Sequence, residues 1–345
     1  MSRWICLLAL WIPGLLTAPL QAEEAAPVLD LVEPRGKPAL VQRLEVVTLA
    51  TLSLPETERF YRQGYGLELE GPIALQPTAQ TEQRKLWGVS EDFVWEEYRL
   101  SRPATWGMPR IRVLALAGPA EPVHRDWSAA SPGAQGIGFA VADAEALEGK
   151  LRELGFGGVG LREADSLRSD SSRVGEQEAI HHGPDFVRAL ARERIGGDAY
   201  APLDDASGIG GPAWLSITTV DPEASLRFWT EVLDLEVRSD RDLPRSAGPQ
   251  RQILLYARGA RSGFVELLVA DSAATSEPAD GVGLRRGIVG AAFVVHELPA
   301  LLERLAAAGA DIEGDAVVPL PMLATRRVIA LRSPEGLRVE LIEGG

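Results

Sequence analysis

The pattern of apolar and polar positions repeats along the chain. Residues 46–70 align without a gap with residues 214–238, and both segments carry an Arg-Phe-aromatic triplet, at 59–61 and at 227–229. Each copy opens with a β-branched run of alternating polarity, passes a proline where a first helical turn belongs, and continues with helical periodicity. The pattern predicts a strand, a helix and a second strand in each copy.

A second pair of related segments follows the first pair. Residues 136–156 align with residues 290–310, the later copy places four leucines on one helix face, and a glycine stands where each helix C-cap belongs. Strand-like runs separate these starts, and the two halves of the chain close on similar segments at 182–193 and 332–343. The repeats predict four βαβββ units, two in each half.

The composition between the repeats predicts the domain boundaries. Residues 195–213 are rich in Gly, Asp and Pro, and we interpret them as a linker between an N-terminal module at 43–194 and a C-terminal module at 214–345. Residues 23–42 have no hydrophobic period and are predicted to form an extended leader. Residues 1–22 have the three-part plan of a secretory signal peptide, with a basic start, an apolar run and a small-residue end.

These features indicate an exported protein, periplasmic or secreted. An uncleaved membrane anchor is the alternative, but Pro13 and Gly14 interrupt an apolar run that is shorter than the ~20 residues of a spanning helix. The only cysteine is Cys6, so the mature chain is expected to have no disulfide and no thiolate site. A formal net charge of −14 argues against binding to nucleic acid or, after signal cleavage, to a membrane.

Several segments together resemble the vicinal oxygen chelate superfamily, which includes glyoxalases, bleomycin-resistance proteins and extradiol dioxygenases. They are Glu-Ala-Ser-Leu-Arg-Phe-Trp at 223–229, Leu-Asp-Leu-Glu-Val at 233–237 and Ser-Pro-Glu-Gly-Leu-Arg-Val-Glu-Leu at 333–341. The similarity covers about residues 43–343. The resemblance implies an α+β fold in which the four units form two glyoxalase-like modules, each a curved mixed sheet with its helices outside.

In that family a divalent metal is bound inside the curved sheet. Its ligands are His or Gln at the start of each unit's first strand and Glu in each unit's last strand, a set that leaves open positions for a substrate. The matching positions in the N-terminal module are Val46, approximately Arg112, Gly136 and Leu190. Those in the C-terminal module are Trp214, Glu266, Gly290 and Glu340.

By this comparison most of the metal ligands are lost, and no cofactor is expected. The two remaining carboxylates, Glu266 and Glu340, are the candidate catalytic residues, and they would be the ligands if a hard ion such as Mg²⁺, Mn²⁺ or Ca²⁺ is bound. The alternative is that each carboxylate forms an ion pair with an arginine, with Arg326 and Arg327 as the candidates. Arg326 and Arg327 are also, with Trp214, the candidate ligand-binding residues. Trp214 is interpreted either as a stacking wall for an aromatic ligand or as a core side chain that fills the emptied site.

The four histidines are weaker candidates. His296 follows a predicted strand and is interpreted as a surface or capping residue. His181 and His182 are adjacent in an extended segment, so their side chains are expected to point to opposite sides and not to share a metal. His124 carries no pattern of its own.

Three functions remain open at this stage. The first is a metal-free protein that binds a small apolar or aromatic molecule. The second is a lyase, isomerase or hydrolase that uses Glu266 and Glu340, with or without a hard metal ion. The third is a structural or partner-binding role in which side chains fill both curved sheets. The chain is expected to be a monomer with pseudo-twofold pairing of its modules, or a homodimer.

Overall fold

The computed structural model describes residues 39–91, 93–103, 105, 107–167, 173–195, 199–243, 249–271, 284–320 and 324–344. The signal peptide predicted at 1–22 and the leader up to residue 38 lie outside these residues. The leader was predicted to extend to residue 42, but the first strand already begins at Val41.

Each of the four units contributes four strands. Unit 1 contains β1 (Val41–Thr51), β2 (Glu68–Glu70), β3 (Trp95–Ser101) and β4 (Arg110–Leu116). Unit 2 contains β5 (Gly133–Val141), β6 (Gly158–Leu167), β7 (Arg173–His182) and β8 (Arg188–Ile195). Unit 3 contains β9 (Ile209–Thr219), β10 (Glu236–Asp242), β11 (Arg251–Tyr256) and β12 (Phe264–Val269). Unit 4 contains β13 (Gly287–Val295), β14 (Ile312–Leu320), β15 (Ala324–Arg332) and β16 (Arg338–Glu343).

One helix follows the first strand of each unit. The four are α1 (Leu54–Glu58), α3 (Ala144–Glu153), α4 (Pro222–Leu226) and α5 (Leu298–Ala307), and α1 and α4 continue as π-helical turns at Arg59–Gly64 and Arg227–Val232. A further helix, α2 (Pro77–Trp87), stands between β2 and β3. Among the described residues no helix is long and apolar enough to cross a membrane.

The helix starts follow from short-range chemistry. The side chains of Ser53, Asp143 and Asp221 each accept a hydrogen bond from the backbone N–H three residues further on. This contact satisfies a donor that has no partner inside the helix. Pro55 and Pro222 occupy first-turn positions, where a missing N–H costs nothing.

The sixteen strands form two eight-stranded sheets, each built from two units. One sheet joins units 1 and 4, because β1 pairs antiparallel with β13. The other joins units 2 and 3 through antiparallel β5 and β9. The α+β prediction with four βαβββ units in two curved mixed sheets is thereby confirmed.

The partners within each sheet differ from the sequence-based division into modules at 43–194 and 214–345. Each sheet takes one unit from each half of the chain. The first strands of all four units are buried on both faces along nearly their whole length, so the polarity pattern is satisfied by either pairing. The predicted linker 195–213 is also shorter in the structure, because β8 extends to Ile195 and β9 begins at Ile209.

The largest apolar core lies between the two sheets and contains the helices of all four units. Helices of consecutive units contact each other across this layer: the end of the α1 segment packs on α3, where Leu151 approaches Gly64. Arg304 of α5 likewise donates to the backbone carbonyl of Thr230 and to Asp234 in unit 3. Consecutive units therefore stay in contact although they belong to different sheets.

The opposite face of each sheet has its own apolar cluster. We call this face of the sheet of units 1 and 4 the first cup, and that of the sheet of units 2 and 3 the second cup. The first cup contains Val46, Ala50, Trp95, Leu114, Ala292, Val328, Ala330 and Ile342, together with Leu86 and Trp87 of α2. The second cup contains Ala140, Leu190, Ala213, Trp214, Tyr256 and Phe264, together with Met108, Tyr200 and Ala201.

Candidate functional site

The strand pairing redistributes the eight positions that correspond to metal ligands. The first cup holds Val46, Arg112, Gly290 and Glu340. The second cup holds Gly136, Leu190, Trp214 and Glu266. Glu266 and Glu340 were expected in one module, but they lie in different sheets. Each cup therefore has a single carboxylate at a ligand position.

In the first cup that carboxylate is bonded to an arginine. Arg112 on β4 places Nη2 at 2.9 Å from both carboxylate oxygens of Glu340 on β16, and both residues are buried. The hydroxyl oxygen of Thr48 accepts from Nε and Nη2 of Arg112 at 3.0 and 2.7 Å. The guanidinium thus joins the last strand of unit 1 to the last strand of unit 4 at the centre of the cup.

Helix α2 fills the rest of the first cup. The indole N–H of Trp87 donates to Glu340 at 2.7 Å, and the guanidinium of Arg112 lies over the Trp87 ring at 4.9 Å. Arg338 on β16 donates to the carbonyls of Leu86 and Trp87. These carbonyls lie in the last turn of the helix and have no partner within it. Gly88 ends α2 in a left-handed conformation.

A second buried carboxylate lies beside this pair. Glu97 on β3 accepts from Gln83 of α2 at 3.2 Å. Burial, helped by the charge of Glu340 and opposed by Arg112 and Gln83, raises the pKa of Glu97. The first cup therefore contains a buried polar network inside an apolar shell.

In the second cup the carboxylate is also bonded to an arginine, but this arginine does not stand at a position that corresponds to a metal ligand. Arg192, two residues beyond Leu190 on β8, donates to Glu266 on β12 and, at 2.6 Å, to Glu178 on β7. Gln252 on β11 donates to the same Glu266 oxygen. Burial opposes ionisation of Glu266, but Arg192, Ser216 and Gln252 outweigh it and lower the pKa of the carboxyl.

Aromatic rings form one wall of the second cup. The rings of Trp214 and Phe264 stack at 5.3 Å between centroids, and those of Phe264 and Tyr256 stack at 4.5 Å. Arg192 lies over Trp214 at 4.8 Å, and Arg238 lies over Tyr256 at 4.4 Å. Trp214 is fully buried, so in this structure it is part of the core of the cup.

Tyr200, which lies outside the four repeated units, packs against this aromatic cluster. It lies between β8 and β9, its ring centroid is 5.9 Å from that of Trp214, and its hydroxyl donates to Glu176 on β7. The guanidinium of Arg194 lies 4.0 Å from the centroid of the Tyr200 ring. Only 9% of Tyr200 is exposed.

One polar atom of the second cup, Nε1 of Trp214, is buried without a hydrogen-bond partner among the described residues. Ser216 pairs in register with Glu266 and stabilises its carboxylate, and Trp214 lies two residues earlier on the same face of β9. A buried indole N–H normally donates to a protein group, water or a ligand.

The residues present do not fit the divalent metal of the family. A zinc, iron or magnesium site needs several convergent nitrogen or oxygen ligands. In each cup the one carboxylate at a ligand position is instead bonded to a guanidinium. Within the described ranges no group of three or more His, Cys, Asp or Glu side chains is placed to hold a metal ion.

The arginines that pair with the two glutamates are not the ones predicted. Arg327 pairs with Asp315 on the adjacent strand β14. Arg326 lies beside it on β15, whereas the bonds of Glu340 are made by Arg112 and Trp87. Arg326 and Arg327 lie on the strand next to Glu340 in the same unit, whereas both cations that pair with the glutamates come from the other unit of the sheet.

The histidines lie outside both cup centres. His181 is buried and hydrogen-bonded through Nδ1 to the hydroxyl of Tyr65 at 2.7 Å, and burial lowers its pKa to about 4. His182 stacks on Trp127 at 4.6 Å, and Nε2 of His124 contacts the carbonyl of Ala134. His296 is exposed, as its surface interpretation requires.

A shallow groove of about 600 Å³ lies away from both cups. It is lined by the start of β1, the turn between β11 and β12, and His296. Its lining includes three arginines, Arg43, Arg258 and Arg261, together with His296.

Comparison with known proteins gives a family for part of the sequence and a fold for the whole described chain. The family model described as "Glyoxalase/Bleomycin resistance protein/Dioxygenase superfamily" matches residues 211–341. Among curated proteins no sequence match is found.

Two solved structures extend over most of the chain. Glyoxalase I from Zea mays superposes with a TM-score of 0.56 at 13% identity and covers 87% of this chain and 92% of its own. A putative dioxygenase from Bacillus subtilis subsp. subtilis str. 168 superposes with a TM-score of 0.55 at 14% identity and covers 89% of this chain and 86% of its own. At these identities the likeness shows the fold alone. Residues 211–341 match the Glyoxalase/Bleomycin resistance protein/Dioxygenase superfamily by sequence, and the chain shares the two-sheet fold of these solved structures.

Proposed function

We propose that this chain is a metal-independent binding protein, exported from the cytoplasm, whose second cup holds a small aromatic molecule. The observation that carries the proposal is the buried arginine–glutamate pair at the centre of each cup. A guanidinium supplies the positive charge that a metal ion supplies in other proteins with this fold. It also forms an ion pair with the carboxylate that would otherwise bind the metal.

The second cup is the better binding site of the two. In the first cup, Trp87 of α2 already donates to Glu340, and the end of the helix is held by Arg338. In the second cup, stacked rings form a wall that suits an aromatic guest, and the buried indole N–H of Trp214 has no partner in the described part of the chain.

An enzymatic role for Glu266 and Glu340 receives less support. The two carboxylates lie in separate sheets, so they cannot act on one substrate as an acid and a base. Each is also held by an arginine, and the lowered pKa of Glu266 keeps that carboxyl ionised, which does not suit a general acid near neutral pH.

Both cups are completed within one chain, because unit 1 pairs with unit 4 and unit 2 with unit 3. This arrangement supports a monomer. The signal-like sequence at 1–22 supports an extracytoplasmic location.

The metal-independent state predicts that divalent ions leave the stability unchanged. An ion at 100 times its Kd would add about 2.7 kcal/mol to the free energy of unfolding, so a real site would be detected. We expect identical urea midpoints for protein dialysed against EDTA and for the same protein in millimolar Mg²⁺, Mn²⁺, Ca²⁺ or Zn²⁺. A stoichiometric ion that co-purifies, and is lost on Glu340→Gln or Glu266→Gln, would contradict the proposal.

A further inference from the structure

We infer that Tyr200 is a tethered stand-in for the ligand of the second cup, and that the ligand is a neutral phenol. This inference rests on the proposed function and names its ligand class. Tyr200 lies outside the four βαβββ units, in the connection between unit 2 and unit 3. The repeat does not require an aromatic ring there, yet the ring is buried against Trp214 and Phe264.

The contacts of Tyr200 are those that a binding site makes with a phenol. Its ring packs on an aromatic wall, a guanidinium lies 4.0 Å from its centroid, and its hydroxyl donates to a buried carboxylate. Each contact acts on one part of a phenol: the apolar ring, the π face and the O–H. The wall, Arg194 and Glu176 all belong to the units, whereas the ring they hold does not.

The connecting segment is anchored beyond Tyr200. Leu203 forms a bridge with Gly210, and Arg102 pairs with Asp204 at 3.1 Å. Asp204 also accepts from the Ser207 hydroxyl at 2.7 Å. These contacts hold the part of the segment next to β9 independently of the ring. The Tyr200 side chain is therefore separable from the anchor that follows it.

Glu176 decides the charge of the ligand. Its side chain is 2% exposed and lies 3.7 Å from Arg194 and 3.8 Å from Arg241, so two guanidiniums flank it. A carboxylate ligand in place of Tyr200 would bring a second anion against Glu176 in a poorly solvated site. A phenolic O–H donates to Glu176 without adding charge.

An unpartnered atom of the cup is an independent pointer to a guest. Trp214, whose ring borders Tyr200, has a buried indole N–H with no partner among the described residues. A phenol with a second polar substituent can reach this donor, which Tyr200 itself does not use.

The test uses p-cresol, which is the tyrosine side chain freed from the backbone, and the full chain with Tyr200→Ala. We expect calorimetry to give a Kd below about 1 mM for this variant. Wild-type protein should bind at least about tenfold more weakly, because a tethered ring competes at high effective concentration. Tyr200→Phe should fall between them, since it keeps the ring but loses the bond to Glu176.

The chemical class is tested by two further ligands and one further variant. Toluene lacks the O–H and should bind Tyr200→Ala about tenfold more weakly than p-cresol, and adding Glu176→Gln should remove most of that difference. Benzoate should bind more weakly than p-cresol. Equal binding of toluene and p-cresol, tighter binding of benzoate, or no binding of p-cresol to folded Tyr200→Ala would overturn the inference.

Two results separate this inference from the function it rests on. If a small aromatic molecule binds the second cup while Tyr200 stays in place, the inference is wrong and the proposed function stands. If a stoichiometric metal occupies a cup, the proposed function is wrong whatever p-cresol does. Should Tyr200→Ala fail to fold, tighter p-cresol binding by Tyr200→Phe than by wild type supports the inference, and equal binding overturns it.

Discussion

Replacing Arg112 with methionine is expected to lower the free energy of unfolding by about 3–5 kcal/mol. The substitution removes the cation and leaves Glu340 as a buried charge that is 1% exposed. Thr48 also loses its donor. A typical domain has 5–15 kcal/mol of stability, so the variant should remain folded and its urea midpoint should be measurable.

The double variant Arg112→Met with Glu340→Gln is the decisive comparison. The amide keeps an acceptor for the indole N–H of Trp87 but carries no charge, so most of the lost stability should return. Arg327→Met, at the exposed pair with Asp315, should leave the midpoint nearly unchanged. A double variant as unstable as the single one would show that the pair is not the source of the loss.

The repeat in the sequence predicted the four units because each unit carries its own local signals. The first strand, the helix that follows it and the closing strand of each unit all lie within 57 to 76 residues of sequence, and the structure confirms the fold they predict. The resemblance also identified the positions where Glu266 and Glu340 stand, since these lie in the last strands of their units.

The pairing of units could not be read from the same signals. A first strand that is buried on both faces fits next to any other such strand, so polarity does not choose between a neighbour in the sequence and a distant unit. Pairing the units by sequence half places both glutamates in one cup, whereas the structure places them in different sheets. With the pairing known, Arg112 and Arg192 are the cations in reach.

Helix α2 was missed for a different reason. Its buried positions are Ala79, Gln83, Leu86 and Trp87, which follow helical spacing but include a polar residue and few large apolar ones. Pro77 at its start and Gly88 at its end are sufficient cap signals. The βαβββ repeat has no helix at that place, so the repeat alone predicts none there.

The pairing of units also shows that side-chain volumes at facing positions of two strands compensate for each other. The sequence of either strand alone does not reveal this. On the floor of the first cup, Val46 on β1 faces Ala292 on β13. At the corresponding place in the second cup, Trp214 on β9 faces Gly138 on β5. The larger side chain of one unit is matched by the loss of a side chain in the other. Trp214 therefore fits only because its partner is glycine.

Gly138→Ala is accordingly expected to be one of the most destabilising single-methyl additions in the chain. An added Cβ would lie 1.7 Å from an indole carbon of Trp214, a ring that is fully buried and stacked on Phe264. Since the indole cannot move without disturbing the stack, we expect a loss of about 3 kcal/mol in the free energy of unfolding, with a shift in tryptophan fluorescence.

Gly290→Ala is the matched control in the first cup. Its added Cβ would lie 3.5 Å from the nearest atom, an ordinary contact, and alanine costs less backbone entropy than glycine in a strand. We expect its urea midpoint to stay at or slightly above that of the wild type. The double variant Trp214→Leu with Gly138→Ala should lose less stability than the sum of the losses of the two single variants, because leucine at 214 leaves room for the added methyl group. Equal shifts of the urea midpoint for Gly138→Ala and Gly290→Ala would contradict this prediction. They would mean that the position of the Trp214 indole does not depend on the absence of a side chain at residue 138.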